Sequence, residues 1–267
     1  MAGNSADQGR SVTSKVVSLL DAFLPSAREL SLNELAGRTG LPLSTTYRLA
    51  TQLVQWGGLE RGTGGGYRIG LRLWEIGSLA AGGSTLQAAV SPFMQDLYEA
   101  THESVQLAIR SGHQALYIDK IAGPRSTPIA VRRAGRLPLH ATGVGKVLLA
   151  HAPADFVEEF IEAGLRRYTA HTIVGSVPLR RTLAEIRRTG IGFAREELTL
   201  GSVSVAAPVF DASGSAVAAI SLVLPSTTAN LGRLAPAVRA VSLGASRDLR
   251  NRSMTMTSIN AHLTKPT

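Results

Sequence analysis

The sequence predicts a protein of mixed α/β (α+β) class, in which a small helical domain precedes a larger domain with an antiparallel sheet. Apolar residues recur at helical spacing through most of the first hundred residues. From Val105 onward they alternate along short segments, the pattern of strands with one buried face. Helical segments lie between these strands, which favours an α+β arrangement. A chain of 267 residues is long enough for two domains with separate cores.

The composition is that of an ordinary globular protein, with 44% apolar and 18% charged residues. The longest apolar run, around 216–224, has the length of a strand and falls short of the roughly 20 residues that cross a bilayer. Residues 1–10 are polar and lack the apolar core of a signal peptide. The absence of cysteine excludes disulfides, a thiol nucleophile and cysteine-ligated zinc. We therefore expect a cytoplasmic protein without a membrane partner.

The formal net charge of +9 favours a polyanionic partner such as nucleic acid. Residues 1–80 contain eight lysines and arginines against six aspartates and glutamates, so most of the excess lies in the rest of the chain. Charge alone therefore does not locate a nucleic-acid site, and the order of the residues has to do so.

Two helices are predicted at the start of the first domain. Apolar residues repeat at helical spacing over 11–23, and Pro25 ends this helix. Ser31 is suited to cap the next helix through its hydroxyl. Glu34, three residues further on, completes a capping box.

A tight turn, Gly40-Leu41-Pro42, leads into a third helix from Leu43 to about Trp56. A hairpin follows, formed by 59–61 and 67–69 around the glycine-rich turn 62–66. Two helices joined by a glycine-containing turn are typical of a helix-turn-helix, whose second helix enters the major groove of DNA. The hairpin corresponds to a wing, so we predict a winged helix-turn-helix.

The third helix has two faces, because Thr46, Leu49, Ala50 and Leu53 fall on one buried stripe. The other face and the wing carry hydroxyl, amide and guanidinium groups that bind phosphates and base edges. The alternative is a solvated surface helix, but the turn, the preceding helix and the wing favour DNA binding. The predicted DNA-binding residues are Ser44, Thr45, Tyr47, Arg48, Gln52, Arg61, Thr63 and Arg68.

A connector and the second domain complete the chain. Residues 70–81 are predicted as a helix that Gly82-Gly83 interrupts, and Ser84 then caps a long helix to about His102. Strands are predicted over 105–109, 115–120, 129–131, 202–210 and 216–224, and helices over 141–150, 154–163, 179–189 and 230–249. The polar segment after Arg250 is predicted to be mobile.

The segment 142–146, Thr-Gly-Val-Gly-Lys, has only a superficial likeness to a phosphate-binding loop. His140 stands where the first glycine belongs, and Val147 replaces the hydroxyl residue after the lysine. A glycine-rich helix start offers free N–H groups to a carboxylate or carbonyl oxygen; a turn that only packs on the sheet is the alternative. The histidines lack metal-ligand spacing and no serine lies in a G-x-S-x-G elbow. We predict no catalytic residue, no metal and no cofactor.

Seven motifs, in order along nearly the whole chain, resemble the IclR family of bacterial transcription regulators. They are SLNELA (31–36), GLPLSTTYRL (40–49), GYRIG (66–70), PLHATGVGK (138–146), EELTLG (196–201), AAPVFD (206–211) and AAIS (218–221). The resemblance implies a winged helix-turn-helix, a linker helix and an effector-binding domain with a GAF-like fold. It also implies a homodimer or homotetramer on palindromic operators in double-stranded DNA.

The resemblance further implies a site for a small-molecule effector. The backbone N–H groups map onto Gly143 and Val144, and the strand side chains onto Ala194, Ser204, Ser221 and Val223. Family members that bind small oxoacids have an acidic residue at the position of Ala194 and a second strand serine at that of Val223. Two polar positions made apolar favour a less hydrophilic ligand, so we expect an aromatic acid or another partly apolar acid.

These expectations define five segments and a function. The segments are a disordered leader (1–10), the winged helix-turn-helix (11–70), the linker helix (71–83), the effector-binding domain (84–250) and a flexible tail (251–267). The expected function is regulation of a catabolic operon, with repression relieved by the effector. One alternative is a ligand-independent DNA-binding protein whose C-terminal domain only oligomerises. Another is a small-molecule hydrolase with an accessory domain, against which the missing nucleophile–base pair argues.

Overall fold

The fold is taken from a computed structural model of the chain. It describes residues 10–24, 29–79, 81–123 and 135–263. The predicted leader up to residue 9, Pro25 and the predicted strand 129–131 lie outside these residues. The chain divides into two compact units between Ser84 and Thr85.

The first unit contains three helices, a hairpin and a fourth helix. They are α1 (Val12–Asp21), α2 (Leu32–Thr39), α3 (Leu43–Trp56), β1 (Leu59–Arg61), β2 (Tyr67–Ile69) and α4 (Leu71–Ser78). The predicted capping box is confirmed: Glu34 N–H donates to Ser31 Oγ, and Ser31 N–H donates to the Glu34 carboxylate at 2.8 Å. Gly40 ends α2 in the left-handed conformation, with φ of 69°, which glycine adopts without strain.

The core of the first unit fixes the orientation of α3. Leu49 of α3 packs in one cluster with Leu19 of α1 and Leu35 of α2, all buried. The predicted buried stripe of α3, Thr46, Leu49, Ala50 and Leu53, is confirmed. The opposite face of the helix is therefore left to the surface.

The break in the connector lies earlier than the sequence predicted. Helix α4 ends at Ser78, and α5 (Ala81–Thr101) contains Gly82 and Gly83 in its first turn. The prediction that this pair interrupts the helix, with Ser84 as the next cap, was wrong. Glycine weakens a helix most in its interior, whereas the first N–H groups of any helix have no intrahelical hydrogen bond to lose.

The second unit is built on a six-stranded antiparallel sheet, which confirms the predicted fold class. Its strands are β3 (Ser104–Ser111), β4 (Gln114–Ile121), β5 (Arg136–Pro138), β6 (Gly192–Arg195), β7 (Ser202–Phe210) and β8 (Ala216–Pro225). Their order is β5-β4-β3-β8-β7-β6. The two strands that the periodicity did not predict, β5 and β6, are the edge strands, with only three and four residues. Segments this short show no alternation.

Helices cover both faces of this sheet. They are α6 (Gly143–Ala150), α7 (Ala154–Glu162), α8 (Ser176–Thr189) and α9 (Leu231–Leu263), together with α5. Alternate residues of each strand serve the two faces, so that Val205 packs with α5 and α9 while Ala206 packs with α6 and α8. Within the described ranges, no helix combines the length and the apolar character that a membrane crossing requires.

Helix α9 is longer than predicted, because it continues to Leu263 and includes part of the segment predicted as a flexible tail. A polar composition does not oppose a helix when charges are spaced to interact along it. Arg252 forms such an i, i+4 ion pair with Asp248.

Candidate functional site

The outer face of α3 carries the predicted DNA-binding side chains. Ser44, Tyr47, Arg48 and Gln52 are exposed, and Thr45 is half-buried. Tyr47 is 52% exposed although it is aromatic. The helix therefore presents hydroxyl, guanidinium and amide groups together on a surface whose other side is anchored in the core.

The N-terminus of α3 is suited to hold a phosphate. Pro42 precedes the helix, and no side chain caps it. The buried Thr46 hydroxyl donates to the carbonyl of Pro42 at 3.0 Å and does not cap the first turn. Uncapped N–H groups at a helix start favour anions.

The hairpin holds the three predicted wing residues, Arg61, Thr63 and Arg68, all exposed. Arg61 donates to the Gly65 carbonyl at 3.0 Å, and its guanidinium lies 4.1 Å from the centre of the Tyr67 ring. Arg68 forms an ion pair with Glu60, its cross-strand neighbour, at 2.9 Å. The hydrogen bond from Leu71 N–H, followed by the one from Arg68, lowers the pKa of Glu60. Of the two wing arginines, Arg68 is paired with a carboxylate, whereas Arg61 has no carboxylate partner in the described part of the hairpin.

In the second unit, three of the predicted effector residues lie in one row of the sheet. Ala194 of β6 is opposite Ser204 of β7, and Ser204 is opposite Val223 of β8. A fourth, Ser221, lies two residues before Val223 on β8 and is opposite Gln106 of β3. Polar side chains therefore interrupt an otherwise apolar sheet face at one place.

The start of α6 approaches this row closely. Thr142 Oγ1 accepts from Gly145 N–H at 3.1 Å, which leaves the N–H groups of Gly143 and Val144 without an acceptor among the described residues. A Cβ atom at position 143 would lie 2.6 Å from Ser204 Oγ. Glycine at this position thus lets the helix start meet the strand serine.

A small cavity of about 40 Å³ lies at this meeting point. Ala194, Ser204 and Val223 line it, whereas the predicted residues Gly143, Val144 and Ser221 do not. The polar lining residues that the sequence did not indicate are Gln106, Tyr117, Thr142, Glu197, Thr199 and Ser202. Two-residue periodicity places Gln106 on a face of β3, but only the register between β3 and β8 shows that this face meets Ser221.

Several buried polar groups near the cavity favour a polar ligand. Ser104 Oγ and Gln106 Nε2 are buried without a hydrogen-bond partner in the described structure. Such groups cost about 1–3 kcal/mol each, which a ligand that binds them recovers. Burial raises the pKa of the Tyr117 hydroxyl, opposed by its hydrogen bond with Thr142, so Tyr117 is a neutral donor at physiological pH.

A buried ion pair supports one wall of the cavity. Lys146 Nζ donates to the two carboxylate oxygens of Glu197 at 2.5 and 2.7 Å. Arg195 N–H also donates to this carboxylate, at 3.2 Å. Burial lowers the pKa of Lys146, and the charge of Glu197 opposes that shift. The lysine that gave the segment its likeness to a phosphate-binding loop is therefore occupied by a carboxylate.

His140, next to the start of α6, is also enclosed. Its Nε2 lies 2.9 Å from the carbonyl of Arg166, and burial lowers its pKa. The neutral ring donates through Nε2, since a carbonyl only accepts. No group of three or more histidine, aspartate or glutamate side chains suited to a metal occurs within the residues that the structure covers.

Comparison with known proteins identifies both parts of the chain. Residues 12–62 match the IclR helix-turn-helix domain, and residues 80–247 match the bacterial transcriptional regulator IclR C-terminal domain. The transcriptional repressor IclR of Escherichia coli K12 is 36% identical over 208 residues, 76% of either chain. The HTH-type transcriptional repressor AllR of Klebsiella pneumoniae is 34% identical over 225 residues, 84% of this chain and 83% of that protein.

Among solved structures, an IclR homologue of Microbacterium hydrocarbonoxydans complexed with 4-hydroxybenzoate has a TM-score of 0.84 and 30% identity. The match covers 90% of this chain and 99% of that one. IclR of Thermotoga maritima has a TM-score of 0.74 and 26% identity, over 89% of this chain and 98% of that one.

Proposed function

Because this chain belongs to the IclR family of bacterial transcriptional regulators, we propose that it is a repressor whose binding to a palindromic operator is controlled by a small organic acid. The exposed face of α3 carries the DNA part of the proposal. Arg48 reads base edges there, Ser44 and Thr45 bind phosphate at the helix start, and Arg61 of the wing contacts the backbone. The repressors of Escherichia coli and Klebsiella pneumoniae support the sign of regulation.

Replacing Arg48 with alanine should weaken operator binding by about 1–3 kcal/mol if the guanidinium contacts a base. An operator is first obtained by selection from random duplexes with the unaltered protein. Fluorescence anisotropy at fixed salt then compares the variants. Arg188→Ala, an exposed arginine on α8, removes the same charge from the other unit and serves as the control. Equal affinity of Arg48→Ala and the unaltered protein would remove Arg48 from the interface.

A homodimer, or a homotetramer built from dimers, fits the palindromic site. Helix α4 exposes Leu71 by 61%, Trp74 by 68% and Leu79, which follows it, by 80%. A cluster of exposed apolar side chains on one short helix marks a protein contact, and we propose that a second copy covers it. The number of chains per operator in the binding titration tests this.

We propose that the acid binds at the cavity beside Ser204, with its carboxylate on the N–H groups of Gly143 and Val144. Ser204 and Ser221 supply hydroxyls, and Ala194 and Val223 contact the apolar part of the ligand. The homologue that binds 4-hydroxybenzoate supports an aromatic acid, and a catabolic operon for such compounds is the corresponding target. A space of about 40 Å³ holds little more than a water molecule, so a ligand of this size requires a more open arrangement of the walls.

The ligand preference should depend on the two apolar positions. We expect aromatic carboxylates to raise the melting temperature of the unaltered protein more than glyoxylate does. In the double variant Ala194→Asp/Val223→Ser, the affinity ratio of aromatic to small acid should fall at least about tenfold, or about 1.4 kcal/mol. An apolar ring would then face a buried carboxylate and an unpaired hydroxyl.

Isothermal titration gives these affinities, and Val177→Ser, at a position exposed by 73%, is the control. A preference of the unaltered protein for glyoxylate would contradict the proposal. No response to any acid, in DNA binding or in melting temperature, would favour a ligand-independent protein whose second unit only oligomerises.

A further inference from the structure

An open groove of about 870 Å³ lies in the second unit, outside the cavity beside Ser204. Its lining comes from α8, the edge strand β6 and the first half of α9. The apolar part includes Ile186 of α8, Phe193 of β6, and Pro236 and Leu243 of α9. Ile186 is 2% exposed, whereas Leu243 is 47% exposed, so the lining extends from the core to the surface.

Three arginines line the same groove, Arg181, Arg195 and Arg239, and all are exposed. None of the three is within ion-pair distance of a carboxylate in the portion of the chain that the structure describes. The two carboxylates in the lining are already engaged, Glu185 by Arg188 at 2.6 Å and Glu197 by Lys146. The groove therefore combines an apolar surface with three arginines that form no ion pair among the described residues.

We propose that this groove is a second ligand site, for a small carboxylate with an apolar chain or ring. Its volume is within the range of roughly 300–1,000 Å³ that small-molecule sites occupy. The planar guanidinium groups bind a carboxylate through paired hydrogen bonds, and the apolar lining takes the rest of the molecule. The groove shares Glu197 with the cavity of the proposed function, but its three arginines do not line that cavity.

The structure argues against a second copy of the chain as the occupant. Strand β6 has four residues, and the carboxylate of Glu197 accepts from the N–H of Arg195, so the edge offers few groups to an added strand. Two copies joined through the same groove would also bring two sets of three arginines together. Like charges facing each other oppose such a contact.

Isothermal titration of the full-length protein with octanoate tests the proposal. Octanol, without charge, and octylammonium, of opposite charge, are the matched probes. The triple variant Arg181→Gln/Arg195→Gln/Arg239→Gln should lower octanoate affinity about tenfold or more, since it removes hydrogen bonds to a charged group. Leu243→Asp, at an exposed position of the lining, should lower octanoate affinity as well. It removes an apolar contact and places a second negative charge beside the bound carboxylate.

Two controls match these variants. Arg136→Gln/Arg167→Gln/Arg247→Gln removes three exposed arginines outside the lining, and Leu200→Asp alters a leucine that is 66% exposed. Both should bind octanoate as the unaltered protein does, and so should the cavity variant Ala194→Asp/Val223→Ser. Unchanged octanoate binding by the cavity variant would separate this site from the proposed effector cavity. If the cavity failed to bind aromatic acids, the proposed function would fail, but the octanoate result would stand.

Four outcomes would overturn the proposal. They are no binding of octanoate by the unaltered protein, equal binding of octylammonium, undiminished binding by the groove triple variant, and loss of binding in the cavity variant alone. Analytical ultracentrifugation of the groove triple variant tests whether a second copy of the chain occupies the groove instead. An assembly mass lower than that of the arginine control would assign the groove to contacts between copies.

Discussion

Replacing Lys146 with methionine is expected to destabilise the second unit by about 3–5 kcal/mol, because it leaves a buried carboxylate without its counter-charge. The ammonium group contacts both oxygens of Glu197, and both side chains are at least nine-tenths buried. Without it, Arg195 N–H at 3.2 Å is the remaining donor to that carboxylate among the described residues. One backbone N–H does not replace a full positive charge beside a carboxylate whose side chain is only 9% exposed.

Urea unfolding at pH 7, followed by far-ultraviolet circular dichroism, measures this loss. The double variant Lys146→Met/Glu197→Gln is the control, because it removes both charges and keeps an oxygen that accepts from Arg195 N–H. Removing both partners of a buried pair is often nearly neutral, so the double variant should regain most of the stability. Equal stability of the Lys146→Met variant and the unaltered protein would show that the ion pair is not enclosed.

Replacing Leu49 with alanine is expected to destabilise the first unit by about 2–5 kcal/mol, the usual cost of such a cavity in a core. Leu49 is 1% exposed and packs between α1 and α2, so its removal loosens the anchor of α3. Small domains have total stabilities of about 5–15 kcal/mol. The variant should therefore lose operator affinity at temperatures where the unaltered protein keeps it.

The two tryptophans of the chain make this measurement selective. Trp56 ends α3 and Trp74 lies in α4, both in the first unit. Their fluorescence during urea unfolding reports this unit separately from the second. Leu43→Ala is the matched control, because the same side chain is removed from the same helix at a position that is 49% exposed. Similar losses in the two variants would mean that Leu49 is not part of a cooperative core.

The helices and hairpin of the first unit were predictable because local rules determine them. Ser31 and Glu34 satisfy the free groups of α2, Gly40 ends that helix, and the apolar spacing of α3 selects its buried stripe. The connector was predicted less well, because the glycine pair 82–83 has little effect in the first turn of α5. The edge strand β6 depends on its pairing with β7, which no local pattern encodes.

The candidate ligand site was predictable only in part. Family resemblance indicated Ala194, Ser204 and Val223, which line the cavity. It did not indicate Gln106, whose contribution follows from the register between β3 and β8. The pairing of Lys146 with Glu197 joins residues 51 positions apart, so neither motif reveals it alone. The exposed face of α3 needed no such long-range information, because helical periodicity separates it from the core.

Helix α6 is enclosed along its whole length, since all eight of its residues are buried. A helix that is packed on all sides cannot move gradually, because any small displacement opens voids on one side and creates steric overlap on the other. Packed interiors of this kind pass between separate arrangements without stable intermediates. We therefore expect a ligand that enters at the proposed site beside Gly143 to shift the surrounding side chains by whole packing steps, so that each chain responds in an all-or-none manner.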